Sequence, residues 1–216
     1  MLTLFISFEG IEGCGKTTQV KLLADFLSQR DIPHRVTREP GGTRLGKLIR
    51  KMLLDPTHRE MEPLTELFLY AADRAQHIAQ VIRPSLESRQ WLICDRFADA
   101  TTAYQGYGRG QDRTFIQQLN QWATQGLWPH LSLLLDCPVE MGLERARRRI
   151  IDTALEGRED RFEQQDLDFH QTVREGYLEL AAQNSARFRI LDATQELKRL
   201  HEEIINLLEP YLSNKS

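Results

Sequence analysis

The sequence has 216 residues, of which 41% are hydrophobic and 27% charged, and these values exclude the disordered and fibrous classes. A formal net charge of −3 argues against nucleic acid as a partner, since nucleic-acid-binding proteins usually carry a basic surface. The apolar runs are too short to span a membrane, and three scattered cysteines form neither a disulfide framework nor a zinc cluster. We expect a single domain over residues 1–216 of a cytoplasmic protein that does not contact membranes.

The first predicted strand, residues 2–8, and the first predicted helix, residues 19–29, flank a glycine-rich segment. This segment, residues 8–18, has the sequence FEGIEGCGKTT and matches the pattern Gly-x4-Gly-Lys-Ser/Thr without a mismatch. A match between a strand and a helix is typical of a phosphate-binding loop, or P-loop. Converging backbone amides and the helix N-terminus favour a phosphate, so the chain is predicted to bind a nucleoside triphosphate.

The P-loop supplies most of the predicted nucleotide contacts. They are Gly10, Ile11, Glu12, Gly13, Cys14, Gly15, Lys16, Thr17 and Thr18. The ammonium group of Lys16 can reach the β- and γ-phosphates, which makes it a predicted catalytic residue. The hydroxyl of Thr17 can ligate the Mg²⁺ ion that accompanies the phosphates.

A short second strand is predicted at residues 33–37, followed by the turn-rich sequence REPGGT and by helices at residues 45–54 and 64–86. The third predicted strand, residues 91–94, ends directly before Asp95 and Arg96. Ligands of open α/β sheets bind beyond the carboxyl ends of the strands, so both side chains should face the P-loop. Arg96 offers a planar fork for a phosphate, and Asp95 can help to hold Mg²⁺. A structural Asp–Arg pair at a strand end is the alternative.

The remaining elements continue the alternation of strands and helices, which indicates an α/β fold with a largely parallel sheet. Two further strands are predicted at residues 131–135 and 188–191. Apolar residues at helical spacing predict the remaining helices at residues 115–123, 139–149, 169–180 and 197–212. The helix at 139–149 becomes strongly basic and leads into a polar loop at residues 152–160.

Seven segments, in this order, resemble the bacterial thymidylate kinases, a family of P-loop nucleoside monophosphate kinases. The segments are FEGIEGCGKTTQ, TREPGG, LYAADRAQH, DRFADATTAYQGYGRG, GLWPHLSLLLDCP, EDRFEQ and LDATQ. The resemblance implies a P-loop NTPase fold with a five-stranded, largely parallel sheet and a mobile, arginine-rich lid at about residues 145–163. It also implies transfer of the γ-phosphoryl group of MgATP to dTMP, giving dTDP for dTTP biosynthesis, by a homodimer.

The resemblance further implies which residues bind the base and sugar of dTMP. Tyr70 stacks on thymine, and Arg74 hydrogen-bonds a thymine carbonyl. Their spacing of four residues places both on one face of a helix. Thr101 and Gln105 contact the base, while Tyr104 packs under the sugar and excludes a 2′-hydroxyl. Without the resemblance, Tyr70 would be an aromatic at the core boundary, and Arg74 half of a surface pair with its neighbour Asp73.

On the acceptor phosphate, the resemblance implies contacts from Arg38, Arg50 and Arg96. It also implies that Glu12 points at the 3′-hydroxyl of the acceptor. Taken alone, each of these arginines would sooner be read as a solvated helix or loop charge.

Relatives with an acidic residue in the P-loop supply a catalytic positive charge from the lid instead. The arginines available for this are Arg145, Arg147, Arg148, Arg149, Arg158 and Arg161. The resemblance assigns catalysis to Arg161, beside Lys16, Asp95 and Arg96, and it assigns Arg145 to the adenine of ATP, under the loop LDATQ. A run of charges is also typical of a solvated helix face.

Two other functions remain as alternatives at this point. A deoxynucleoside kinase would phosphorylate a 5′-hydroxyl, but several acceptor-side arginines disfavour that reaction. A P-loop regulatory ATPase would bind ATP without binding a nucleoside monophosphate.

Overall fold

The computed structural model describes residues 3–153 and 161–212, with the backbone alone described for residues 149–153. Five parallel strands form one sheet in the order β2-β3-β1-β4-β5. The strands are β1 (Phe5–Glu9), β2 (His34–Arg38), β3 (Trp91–Asp95), β4 (Leu131–Asp136) and β5 (Phe188–Asp192). Every residue of β1 and β3 is buried, as expected for central strands covered by helices on both faces. The predicted α/β fold with a five-stranded parallel sheet is confirmed.

Helices flank the sheet. They are α1 (Lys16–Gln29), α2 (Arg44–Leu54), α3 (Pro63–His77), α4 (Arg83–Glu87), α5 (Ala98–Thr101), α6 (Arg113–Thr124), α7 (Val139–Thr153), α8 (Leu167–Gln183) and α9 (Leu197–Leu212). Helix α7 continues to Thr153, so the start of the predicted polar loop at 152–160 is helical, and its last seven residues lie outside the described ranges. No described helix combines the length and the apolar composition needed to cross a membrane.

The single helix predicted at residues 64–86 is wrong in one respect, because a π-helical turn, Ile78–Ile82, separates α3 from α4. Pro84 explains the interruption. Proline has no N–H group and its ring clashes with the carbonyl four residues earlier, so regular α-helical bonding cannot continue through it. The backbone N–H of Arg83 bonds to the carbonyl of Ile78, five residues earlier, which widens the turn ahead of the proline.

The strand order brings the two predicted phosphate-binding segments together. Strand β1, which leads into the P-loop, pairs with β3, and Phe8 lies opposite Asp95. The backbone N–H of Arg96 continues this pairing with a bond to the carbonyl of Phe8 (2.9 Å). Because parallel strands end at the same edge of the sheet, the P-loop and the Asp95–Arg96 turn lie side by side.

Candidate active site

The glycines of the P-loop cannot be replaced without strain. Gly10, Gly13 and Gly15 all have positive φ angles (135°, 69° and 95°), which side-chain-bearing residues rarely adopt. A Cβ atom on Gly13 would lie 1.9 Å from the carbonyl oxygen of Gly142 in α7. The glycines therefore let the loop backbone curl against α7, which leaves its amides arranged for a phosphate.

Lys16 closes over this loop from the start of α1. Its buried Nζ atom donates hydrogen bonds to the carbonyls of Gly10 (3.0 Å) and Ile11 (2.7 Å) and lies 3.3 Å from the sulfur of Cys14. Ile11 and Cys14 are buried in the core, so they can meet a nucleotide only through their backbone, while Thr18 is exposed on α1.

The two predicted magnesium ligands are in direct contact. The hydroxyl of Thr17 donates a hydrogen bond to Oδ2 of Asp95 (2.7 Å), joining the start of α1 to the end of β3. Hydroxyl and carboxylate oxygens suit Mg²⁺, which commonly takes one or two protein ligands and completes its shell with phosphates and water. The residues present therefore fit the predicted ion.

Arg96 donates hydrogen bonds to three side chains of the site. Its φ angle of 69° lies in the left-handed region, which is uncommon for residues other than glycine. The guanidinium donates to Glu12 Oε1 (3.0 Å) and to the hydroxyls of Tyr104 (2.9 Å) and Tyr177 (3.1 Å). The predicted phosphate-binding arginine thus lies against the P-loop carboxylate and the predicted sugar-binding tyrosine.

Glu12 is held as a carboxylate. Its Oε1 accepts hydrogen bonds from Arg96 and from the hydroxyl of Tyr104 (2.6 Å), and its Oε2 lies 3.3 Å from Nδ1 of His170. Burial alone would raise the pKa of Glu12, but Arg96, His170 and Lys16 together hold that pKa well below its ordinary value. A fixed negative charge therefore lies beside the phosphate-binding loop.

Arg74 is completely buried, so the alternative of a surface pair with Asp73, itself buried, is wrong. The three nitrogens of its guanidinium donate to Glu39 (2.9 Å), Asn120 (2.7 Å) and Thr101 (2.9 Å). Two of the predicted base-binding residues, Arg74 and Thr101, are therefore brought into contact and locked in orientation.

The orientation of Arg74 depends on a second layer of buried polar residues that the sequence did not identify. Glu39, in the REPGGT turn, accepts from Arg74 on one oxygen and contacts Nδ1 of His77 on the other (2.8 Å). Nε2 of His77 contacts the hydroxyl of Thr37 (2.6 Å). This chain links the predicted acceptor-phosphate loop to the predicted base site.

Tyr70 and Gln105 lie near Arg74 but are engaged differently. Tyr70 is half-buried against the core, and burial raises the pKa of its hydroxyl above the ordinary value. The side-chain amide of Gln105 donates to Glu66 Oε1 (2.9 Å). Contact between Gln105 and a base therefore remains a prediction.

Arg161 contacts residues outside the P-loop. Its Nε donates to the carbonyl of Leu53 (2.6 Å) and its Nη2 to the buried carboxylate of Glu66. Glu66 also binds Gln105, which places Arg161 on the side of the predicted base site. A catalytic role for Arg161 stays a prediction, and it requires the guanidinium to leave Glu66.

The other predicted arginines lie in two places: Arg50 and Arg38 near the REPGGT turn, and Arg145 near the predicted adenine loop. Arg50 donates to the carbonyl of Pro40 (3.2 Å) in the REPGGT turn, and Arg38 is the last residue of β2, paired with Asp95. Arg145 donates to the carbonyl of Ala193 (3.1 Å), within the predicted adenine loop. Arg147 and Arg148 are exposed on α7, and only the backbone of Arg149 is described. Arg158 lies outside the described residues.

Glu9, the last residue of β1, is a buried carboxyl group that the sequence did not identify. Its oxygens accept from the backbone N–H of Phe97 (2.9 Å) and the hydroxyl of Tyr177 (3.2 Å). Burial, reinforced by the nearby charge of Asp99, raises the pKa of Glu9 from 4.5 to about 8. Between pH 4.5 and about 8, Glu9 is therefore protonated in the native state and ionised in the unfolded chain.

A raised carboxyl pKa makes folding less favourable as pH increases, because the unfolded state binds fewer protons than the native state. The contribution of Glu9 to stability is thus complete below pH 4.5 and is lost as pH approaches about 8. Glu9→Gln, which cannot ionise, should gain stability relative to the unsubstituted protein between pH 5 and pH 8.5, measured as melting temperature. Exposed Glu175→Gln is the control, and parallel pH curves for Glu9→Gln and the unsubstituted protein would contradict the assignment.

The chain is similar to known proteins over nearly its whole length. The thymidylate kinase family model matches residues 8–204. The thymidylate kinase of Syntrophus aciditrophicus is 51% identical over 208 residues, covering 96% of this chain and 95% of that protein. The thymidylate kinase of Geotalea daltonii is 55% identical over 188 residues, covering 87% and 88%.

A solved structure gives the same result. The crystal structure of thymidylate kinase from Ehrlichia chaffeensis matches with a TM-score of 0.76 and 33% identity, covering 96% of this chain and 99% of that chain. The fold, the order of the motifs and the extent of these matches agree: the chain belongs to the thymidylate kinase family.

Proposed function

We propose that this chain transfers the γ-phosphoryl group of ATP to dTMP, giving ADP and dTDP. The observation that carries the proposal is the position of Arg96, which touches both the P-loop carboxylate Glu12 and Tyr104. A guanidinium between a triphosphate loop and a sugar-binding aromatic residue lies where a donor and an acceptor phosphate would meet. The family and its relatives support the same reaction.

The donor side holds the triphosphate. The P-loop amides and Lys16 bind its phosphates, and Arg145 with the loop around Ala193 contacts the adenine. Thr17 and Asp95 are the residues that would hold Mg²⁺. The ion, when bound, neutralises charge on the β- and γ-phosphates.

The acceptor side positions dTMP. Arg96 binds the acceptor phosphate, with Arg50 and Arg38 at the rim formed by the REPGGT turn. Phosphoryl transfer requires little covalent chemistry from the protein, so catalysis consists of alignment and charge stabilisation. The guanidinium of Arg96 does both, because it orients the attacking oxygen and remains beside it during transfer.

The base and sugar are selected by side chains that the protein holds rigid. Arg74, fixed by three buried hydrogen bonds, presents a donor to a thymine carbonyl, with Thr101 beside it. Tyr70 stacks on the ring and Gln105 contacts its edge. Tyr104, fixed by Glu12, leaves no room for a 2′-hydroxyl, so the deoxynucleotide is preferred.

The lid supplies a further positive charge at the transferred phosphoryl group. We assign to Arg161 the stabilisation of the transferred phosphoryl group, which it reaches by exchanging its ion pair with Glu66 for the nucleotide. The buried Glu66 keeps Gln105 and Arg109 as hydrogen-bond partners when Arg161 leaves.

A coupled steady-state assay tests the proposal. With MgATP present, dTMP should be the best acceptor among dTMP, dUMP, dCMP, AMP and thymidine. Phosphorylation of thymidine but not of dTMP would favour a deoxynucleoside kinase. ATP hydrolysis that no nucleotide accelerates would favour a regulatory ATPase.

Within this panel, dUMP is expected to be a poor but measurable substrate. It differs from dTMP by one methyl group, and such a difference is typically worth about 1–3 kcal/mol, or on the order of tenfold to a hundredfold in kcat/KM. UMP should be slower still because its 2′-hydroxyl meets Tyr104. Equal kcat/KM for dUMP and dTMP would remove the assignment of the base site to Arg74, Thr101 and Tyr70.

We further propose that the chain forms a homodimer. Leu64 and Phe68 on α3 and Phe115 on α6 are 40–50% exposed, and the rings of Phe68 and Phe115 pack edge to face (6.3 Å between centroids). A second copy of this chain would cover these apolar side chains, which are costly to leave in water. Phe68→Glu should shift the protein to monomer in sedimentation analysis, whereas Leu197→Glu, at the exposed start of α9, should not. A Phe68→Glu variant that remains dimeric would place the interface elsewhere.

The cytoplasmic location expected from the cysteines remains a proposal. Cys14, Cys94 and Cys137 are all free and buried, which suits a reducing compartment.

A further inference from the structure

His170, on the first turn of α8, is a completely buried imidazole that faces the P-loop. Its Nδ1 lies 3.3 Å from Oε2 of Glu12, although the approach is not well aligned for a hydrogen bond. Within the described ranges neither ring nitrogen has another hydrogen-bond partner. The ring therefore lies beside a carboxylate of the predicted phosphate site without forming a good hydrogen bond to it.

A buried imidazole without a good hydrogen bond costs stability, and an apolar ring of similar size would fill the space without that cost. The surroundings favour an apolar ring, since Phe169 packs edge-on against His170 (5.5 Å between centroids). Core packing therefore does not account for a histidine here. The Glu12 carboxylate, 3.3 Å from Nδ1, does.

The two oxygens of Glu12 have different surroundings. Oε1 accepts hydrogen bonds from Arg96 and Tyr104. Among the described residues Oε2 accepts no hydrogen bond, and a small shift of His170 would supply one. A carboxylate held at one oxygen can still tilt about that oxygen. Contact at Oε2 removes that freedom and sets the plane of the carboxylate.

We propose that His170 is a positioning residue that aims the Glu12 carboxylate at the sugar hydroxyl of the acceptor. The neutral ring suffices, provided that Nδ1 carries the proton and donates to Oε2. Phe169, the preceding residue, packs against Tyr104, so the start of α8 supports both partners of Glu12. This inference rests on the proposed function, in which Glu12 meets the 3′-hydroxyl of dTMP.

The test compares dTMP with its 3′-deoxy analogue, which lacks the hydroxyl that Glu12 would contact. In His170→Phe, kcat/KM for dTMP should fall about tenfold, the usual effect of one lost hydrogen bond to a charged group. The value for the analogue should change less than about twofold. Glu12→Gln should reduce the same preference, and the double variant should add little to either single change.

Two polar variants keep the test valid if phenylalanine disturbs folding. The amide nitrogen of asparagine can occupy the position of Nδ1, whereas that of glutamine matches Nε2. His170→Asn should therefore retain most of the preference for dTMP, and His170→Gln should lose it. Val173→Ala, a buried change one turn further along α8, is the matched control and should leave the preference unchanged.

The outcomes separate the inference from the proposed function. If the unsubstituted protein does not phosphorylate dTMP, the proposed function fails. If it does, but His170→Phe and His170→Gln slow both acceptors equally, His170 is structural and the inference alone is overturned.

Discussion

Arg96→Ala is expected to lower kcat/KM for dTMP by about 10³-fold or more, the lower end of the range for arginines that stabilise phosphoryl transfer. The loss should appear in both parameters, with a higher KM for dTMP and a lower kcat, because Arg96 holds the acceptor before and during transfer. It also removes the cation nearest to the buried Glu12 carboxylate. The KM for ATP should change little, since Lys16 and the loop amides hold the donor.

Steady-state kinetics with dTMP varied at saturating MgATP measure this effect. Arg113→Ala is the control, because Arg113 lies in an exposed pair with Glu179, where an ion pair contributes little. An Arg96→Ala variant with an unchanged KM for dTMP would show that Arg96 is a structural partner of Glu12 and not an acceptor-binding residue.

Arg161→Ala is expected to lower kcat and kcat/KM together by about 10²-fold while leaving nucleotide binding nearly intact, the pattern of an interaction made only in the transition state. The effect is smaller than the full range for such arginines because other lid arginines can substitute in part. Arg161→Lys should restore little activity, because an ammonium group cannot reproduce the planar fork.

The ion pair with Glu66 gives this prediction a second readout. If Arg161 acts only through Glu66 and the carbonyl of Leu53, Arg161→Ala should lower the melting temperature and leave kcat normal. That outcome would contradict the catalytic role and leave the charge to be supplied by Arg147, Arg149 or Arg158. Kinetics and thermal melting on the same preparation distinguish the two cases.

Local sequence patterns were enough to predict the phosphate site and the sheet. The P-loop could be recognised because positive φ angles dictate its glycines, and these angles recur at a fixed spacing within a few residues. The central strands β3 and β4 were predicted because buried parallel strands are nearly continuous apolar runs. The first strand, predicted at 2–8, is Phe5–Glu9 in the structure.

Helical interruptions were harder to predict. The apolar stripe of residues 64–86 continues in phase through Ile78 and Ile82, so periodicity alone gives no sign of the π-helical turn between them. The segment Ala98–Gly108 was recognised as a motif but not as helical, because glycine and polar residues obscure its periodicity.

The polar network behind the site depends on contacts between distant parts of the chain. Glu39 meets Arg74 35 residues later, and Glu66 meets Arg161 95 residues later. His170 is 158 residues from Glu12 in sequence, and its helix has an ordinary apolar pattern. Such pairs arise only from the topology, so the sequence could name Arg74 and Arg161 by resemblance but not the residues that hold them.

In the proposed reaction a phosphoryl group passes from ATP to dTMP on this chain. It can be followed by incubating the protein with Mg²⁺, dTMP and ATP labelled at the γ-phosphate and separating the products. We expect the label to appear in dTDP, in amounts equal to the ADP formed, and to stay in ATP when dTMP is omitted. Release of the label as inorganic phosphate at the same rate with and without dTMP would contradict it.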